Sequence, residues 1–120
     1  MCGIFGVIAR EENYNKKDLI KLLEDVAKIS QVRGKDSSGL AFRFESKKQI
    51  EVLKGPVSID KLLRTQEYKR LKDDILNEVK VKAENNSNLF AALGHARLVT
   101  NGSQLEDVNN QPVVKGYMAE

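Results

Sequence analysis

Met1-Cys2-Gly3-Ile4-Phe5-Gly6-Val7-Ile8-Ala9 opens the chain. Gly3 to Ala9 is a short apolar run closed by Arg10-Glu11-Glu12. Its length and its β-branched and aromatic content favour a buried strand over a helix. A strand there would hold Cys2 in a fixed place, which a frayed end could not. Cys2 is the only cysteine. Removal of the initiator methionine, which requires a small second residue, would leave Cys2 with both a thiol and a free α-amine. An α-amine titrates near ~7.7–8.0 and an ordinary thiol near ~8.5, so at neutral pH part of the amine can take the thiol proton. The thiolate is the reactive form, and a nucleophile beside its own base is the general logic of acyl transfer. The plainer reading of Cys2 is a small hydrophobe at a chain end.

The pattern beyond this strand alternates helix and strand. Residues 13–32 read as a helix capped by Asn13 or Asn15, with Leu19, Ile20, Leu22, Leu23, Val26, Ala27 and Ile29 as a wide apolar stripe and Gly34 as its stop. Residues 40–45 and 49–54 read as a hairpin around Ser46-Lys47-Lys48, broken by Gly55-Pro56. A second helix, in one piece or two, is expected from Ser58 or Ile59 to Glu84, with Ser58 or Asp60 as its cap. It turns Leu62, Leu63, Leu71, Ile75, Leu76 and Val79 inward. Residues 84–88 read as a loop, 89–95 as a buried strand, 99–111 as polar and irregular, and 113–118 as a last strand. Helices interleaved with a largely hairpin-connected sheet predict an α+β or layered fold.

Composition narrows the function classes. The 120 residues are at most one domain, 41% apolar and 31% charged, as in a soluble globular chain. Twenty Lys and Arg against 17 Asp and Glu give +3, with no long like-charge block and no Trp. That balance does not call for nucleic acid. A single Cys excludes an internal disulfide, and with a single His there is no four-ligand Cys/His zinc site within the chain. The N-terminal apolar run is too short for a signal peptide or a membrane span. The expected setting is cytoplasmic, where a thiol stays reduced.

Two further segments carry chemistry. Arg33-Gly34-Lys35-Asp36-Ser37-Ser38-Gly39 frames a tight polar turn between helix and strand, with Arg33 and Asp36 close enough to pair. Taken alone it is a helix end plus a turn. Gly94-His95-Ala96-Arg97-Leu98-Val99-Thr100-Asn101-Gly102 runs from a strand end into a polar loop, a common place for substrate contacts. Arg97 offers a planar fork that matches a carboxylate bidentately, or else makes a surface ion pair. Thr100 and Asn101 add short hydrogen-bonding groups. His95 reads as a satisfied core histidine, since an N-terminal nucleophile needs no imidazole base. Glu106-Asp107 is too little for a metal site.

The three segments in this order resemble the glutamine amidotransferases of class II, which are N-terminal nucleophile hydrolases. Met1-Cys2-Gly3-Ile4-Phe5-Gly6 matches that family closely. Arg33-Gly34-Lys35-Asp36-Ser37-Ser38-Gly39-Leu40-Ala41 is similar to the Arg-Gly-Tyr-Asp-Ser-Ala-Gly-Leu-Ala of glucosamine-6-phosphate synthases and to the Arg-Gly-Pro-Asp of asparagine synthetases. Gly94-His95-Ala96-Arg97 resembles the Gly-His-Thr-Arg of the former, while His95-Ala96-Arg97-Leu98 and Asn110-Gln111-Pro112 are closer to the latter. Asn101 stands where the synthase motif has a histidine.

The resemblance implies a four-layer α-β-β-α sandwich whose two central sheets hold the site. It implies Cys2 as the nucleophile on the glutamine side-chain amide, and Arg97 as the holder of the glutamine α-carboxylate. Thr100 and Asn101 would line the same pocket, and Arg33, Gly34 and Asp36 would shape the turn beside the nucleophile. No cofactor and no metal is implied. The partners implied are glutamine and a synthase domain or subunit, amino-sugar or asparagine-forming, that accepts the ammonia; neither nucleic acid nor membrane is among them. The family's oxyanion-forming Asn-Gly pair and a further Asp follow the strand that here is 113–118. Residues 1–120 are therefore expected to be the N-terminal part of such a domain, weakly active or inactive alone, since losing an oxyanion donor costs on the order of 10²–10³ in rate. Two alternatives stand beside this: a non-catalytic module that binds a partner through an exposed sheet edge or apolar face, and a stand-alone Cys hydrolase for another carboxylate-bearing amide.

Overall fold

Asn15 starts the first helix: its side chain accepts from the Lys17 N–H at 2.9 Å, and α1 runs Lys16–Ser30. Around it the computed structural model describes residues 2–10, 15–43, 50–77, 89–98 and 110–112. The strands are β1 (Gly3–Arg10), β2 (Ser37–Arg43), β3 (Glu51–Gly55) and β4 (Leu89–Arg97). The remaining helices are a 3₁₀ turn at Gln31–Arg33, α2 (Ile59–Leu62) and α3 (Gln66–Leu76). The expected turn at 46–48, the loop at 84–88 and the strand at 113–118 lie outside the described residues, as does the expected helical continuation beyond residue 77.

The architecture is α+β. Four antiparallel strands form one sheet in the order β1-β4-β2-β3, so the last strand of the described chain is inserted between the first two. Alternation along the strands sends Phe5, Val7, Leu40, Phe42, Phe90 and Ala92 to one face, where they join Ile20, Leu23 and Ala27 of α1 and Ile59, Leu62, Tyr68, Leu71 and Ile75 of α2 and α3. Phe42 and Phe90 meet edge to face at 6.5 Å between ring centroids. Each such side chain removed from water contributes roughly 1.5–3 kcal/mol.

The second helix is in two pieces for a local reason. Thr65 donates its hydroxyl to the Leu62 carbonyl at 2.8 Å and accepts from the Tyr68 N–H at 3.3 Å, so one residue ends α2 and caps α3. Ser58 caps α2. Tyr68 and Lys72 of α3 both donate to Glu24 of α1, at 2.8 and 3.0 Å, which ties the two helices together. Burial, and then the Glu24 carboxylate that accepts from it, push the Tyr68 phenol well above its ordinary range.

Three expectations need correction. The α1 stripe is narrower than its sequence suggests: Ile20, Leu23 and Ala27 are buried, but Leu22 and Ile29 are exposed, because a single sheet face and one partner helix cover only part of the helix circumference. Neither β1 nor β4 is buried on both sides. Their second face is open at Ile4, Ile8 and Leu93, 71%, 77% and 54% exposed, and covered at His95. Gly34 does end the helical segment, as the cap of the 3₁₀ turn, but with φ −179° and ψ 137° in plain extended backbone and not in the left-handed form common at helix ends. Among the described residues no helix is long and apolar enough to cross a membrane.

Candidate active site

The β1–β4 register pairs Gly3 with Ala96 and Ile4 with His95, so one step further sets Cys2 opposite Arg97. By the same alternation Cys2, Ile4, His95 and Arg97 share the open face of the sheet. Arg97 in turn pairs with Ser37 of β2. Cys2, Arg97 and Ser37 therefore form a row at one end of that face. Cys2 is exposed, its thiol donating weakly to the Leu98 carbonyl at 3.7 Å. Ser37 is fully buried, and its hydroxyl has no partner among the described residues.

The turn after α1 packs against the backbone that carries Arg97. Asp36 donates its N–H to the Arg97 carbonyl at 3.0 Å. At Gly34 a Cβ would overlap the Arg97–Leu98 peptide, so the glycine is needed for close approach and not for its dihedral freedom. Gly34 and Asp36 thus contact the backbone that carries Arg97, and the side-chain stem of Arg33 lies against Gly3. A missing side chain matters again at Gly39, where a Cβ would overlap the Gln111 carbonyl. Asn110, Gln111 and Pro112 cross the open face there. Arg97 donates from Nη1 to Asn110 Oδ1 at 3.2 Å, and Asn110 is fully buried.

His95 lies under this crossing segment. It is buried, 7% exposed, as the sequence suggested, but its Nδ1 has no partner among the described residues. A small cavity of about 80 Å³ adjoins it, between Ile4, Leu93, Gln111 and Pro112. Burial, and then the positive charge of Arg97, hold His95 below the usual imidazole range, so it stays neutral at pH 7. Further along the same face a mostly apolar depression of about 680 Å³ is lined by Gly6, Ile8, Ala41, Ile50, Ala91 and Leu93, with Arg43 among them.

Thr100 and Asn101 lie outside the described residues, as do Glu106 and Asp107. Among the described residues no cluster of three His, Cys, Asp or Glu could hold a metal. Sequence reasoning did not single out Lys54, Ser37 or the Asn110 contact to Arg97. A lysine on an amphipathic strand gives no signal of its own. Only the cross-strand pairing of Gly39 with both His95 and Lys54 brings Lys54 to this face.

An accessible thiol beside a guanidinium fork can, in chemical terms, hold a carboxylate at one end of a small molecule while attacking a carbonyl at the other. Compared with known proteins, the chain matches no family model and no curated sequence.

Proposed function

We propose that the chain carries the nucleophile end of a class II glutamine amidotransferase site, in a cytoplasmic N-terminal nucleophile hydrolase-type domain. The observation that carries this is the register that sets Cys2 beside Arg97 on one open sheet end. In this reading the Cys2 sulfur attacks the side-chain amide carbon of glutamine as the α-amine of Cys2 takes the thiol proton. That proton passes to the departing nitrogen, the C–N bond breaks, and ammonia leaves behind a γ-glutamyl thioester. Water then cleaves the thioester to glutamate and restores the thiol. Arg97 holds the glutamine α-carboxylate, Thr100 and Asn101 line the pocket, and Arg33, Gly34 and Asp36 shape the turn beside the nucleophile. The ammonia goes to a synthase domain or subunit. Helices on one face of an antiparallel sheet, with the other face open, fit one half of an α-β-β-α sandwich.

A second reading has its own observation. Ile4, Ile8 and Leu93 expose a contiguous apolar face, which suits a non-catalytic module that docks a partner. One experiment separates the two. An electrophilic glutamine analogue is added to the purified chain, and the adduct is mapped by peptide mass spectrometry. The amidotransferase reading expects one adduct, on a Cys2 with its amine free, and protection by L-glutamine. A retained Met1, or labelling that glutamine does not slow, supports the docking module instead.

A further inference from the structure

We propose that Lys54 and Asn110 are positioning residues for Arg97, and that together they set the affinity of the site for a carboxylate-bearing substrate. The substrate half of this inference rests on the glutamine reading above; the structural half does not.

Four contacts fasten Asn110–Pro112 across three strands. On β3, Lys54 donates from Nζ to the Asn110 carbonyl at 3.0 Å and to the Pro112 carbonyl at 3.2 Å. On β2, the Gln111 carbonyl seats on Gly39, where only a hydrogen leaves room for it. On β4, Arg97 donates to Asn110 Oδ1 at 3.2 Å. Lys54 and His95 pair with opposite sides of Gly39, so the segment crosses the sheet along one cross-strand row, next to the row of Cys2, Arg97 and Ser37.

The chemistry of each contact fits positioning. An ammonium that satisfies two backbone carbonyls makes charge-assisted bonds, roughly twice as strong as neutral ones. Those bonds fix Asn110 along the chain. Asn110 is fully buried, so its amide oxygen needs a partner, and the guanidinium of Arg97 supplies one. The same bond narrows the rotamers open to Arg97, a long side chain. Bidentate carboxylate recognition depends on the direction of the fork, so a held guanidinium binds more tightly than a free one. Neither Lys54 nor Asn110 reaches the reacting thiol in this scheme, and the effect falls on binding and not on the chemical step.

The test uses the full chain and two readouts. The first is the ¹⁵N signal of the Arg97 guanidinium, whose internal rotation is slow when held and averaged when free. The second is protection of Cys2 by L-glutamine against the electrophilic analogue. In Lys54→Met, which keeps the packed stem, the Arg97 signals are expected to average. The glutamine concentration for half protection should rise about ten-fold, the weight of one hydrogen bond to a charged group. The labelling rate at saturating analogue should not change, and Lys54→Arg should restore both readouts. If Lys54→Met does not fold, Asn110→Ser removes the Oδ1 to which Arg97 donates and is read by the same two measurements. Unchanged Arg97 signals in a folded variant overturn the proposal, and so does an unchanged half-protecting concentration. If the wild-type chain shows no glutamine protection at all, the glutamine reading fails, and the Arg97 signals alone then decide the positioning role.

Discussion

On the covered face of the sheet Phe5, Leu40, Phe42 and Phe90 are buried against the helices; one residue along the same strands, Ile4, Ile8 and Leu93 stand open to solvent. The covered face is apolar apart from Ser38, whose hydroxyl donates to the Val57 carbonyl, and Glu51 at its β3 edge. The open face changes character along its length: Cys2, Ser37, Lys54, His95 and Arg97 at one end, Ile8, Ala41, Ala91 and Leu93 at the other. A period of two along four strands thus separates the face packed on the helices from the face that carries the polar row. Substitutions on the first face should be read in stability, and those at the polar end of the second in binding and labelling.

The most damaging change should be on the covered face. Phe42→Ala removes a ring that is 1% exposed and packed edge to face on Phe90. The expected loss is about 3–5 kcal/mol by urea unfolding. A loss under about 1 kcal/mol would mean that this face is not the core. Next comes Gly34→Ala, which drives a methyl into the Arg97–Leu98 peptide. Overpacking of this kind costs about 1–3 kcal/mol. The change should also slow labelling of Cys2, because it displaces the backbone that carries Arg97. A destabilised variant with normal labelling would separate the turn from the site.

A smaller effect is expected from the buried histidine. Burial and the charge of Arg97 lower the native pKa of His95 below the ordinary 6.5. Between those two values the unfolded chain binds a proton that the native chain does not. Stability from this group is therefore complete above pH 6.5 and lost as pH falls from there toward the native pKa, by at most about 1.4 kcal/mol per pH unit. His95 is the only histidine, so urea midpoints at pH 7.5 and 5.5 in wild type and His95→Gln assign the effect directly. Equal midpoints in the wild type would contradict it. The smallest effect belongs to the open apolar end. Ile8→Ser, at a position 77% exposed, should move stability by no more than about 0.5 kcal/mol. A loss as large as that of Phe42→Ala would show that this face is covered after all.

Local signals in the sequence predict the elements well where chemistry is local. The strand at Cys2 and the strand before Arg97 follow from composition and spacing, which also narrow the caps to Asn13 or Asn15 and to Ser58 or Asp60, of which Asn15 and Ser58 are used. The wide α1 stripe misleads, because Leu22 and Ile29 are apolar without being buried, and only the number of layers present decides how much of a helix is covered. Gly34 misleads in a similar way. A glycine after a helix usually marks a left-handed stop, but here it admits a neighbouring backbone that is far away in sequence. The pairing of Cys2 with Arg97 is 95 positions apart in the chain and depends on β4 entering between β1 and β2. Motif order hinted at it; register makes it explicit. Lys54 had no local signature, since the Asn110 and Pro112 carbonyls to which it donates lie more than fifty positions away in the chain.

The most direct measurement asks whether Cys2 and Arg97 read the two ends of one molecule. Protection of Cys2 from the electrophilic analogue is titrated with L-glutamine and with 4-aminobutanamide, which keeps the amide and lacks the α-carboxylate, in wild type and in Arg97→Leu. The account predicts that L-glutamine protects the wild type at a concentration at least about 100-fold lower than 4-aminobutanamide does, as expected for a lost bidentate charge pair. In Arg97→Leu that preference should disappear. Equal protection by both compounds in the wild type, or a preference that survives in Arg97→Leu, would contradict it.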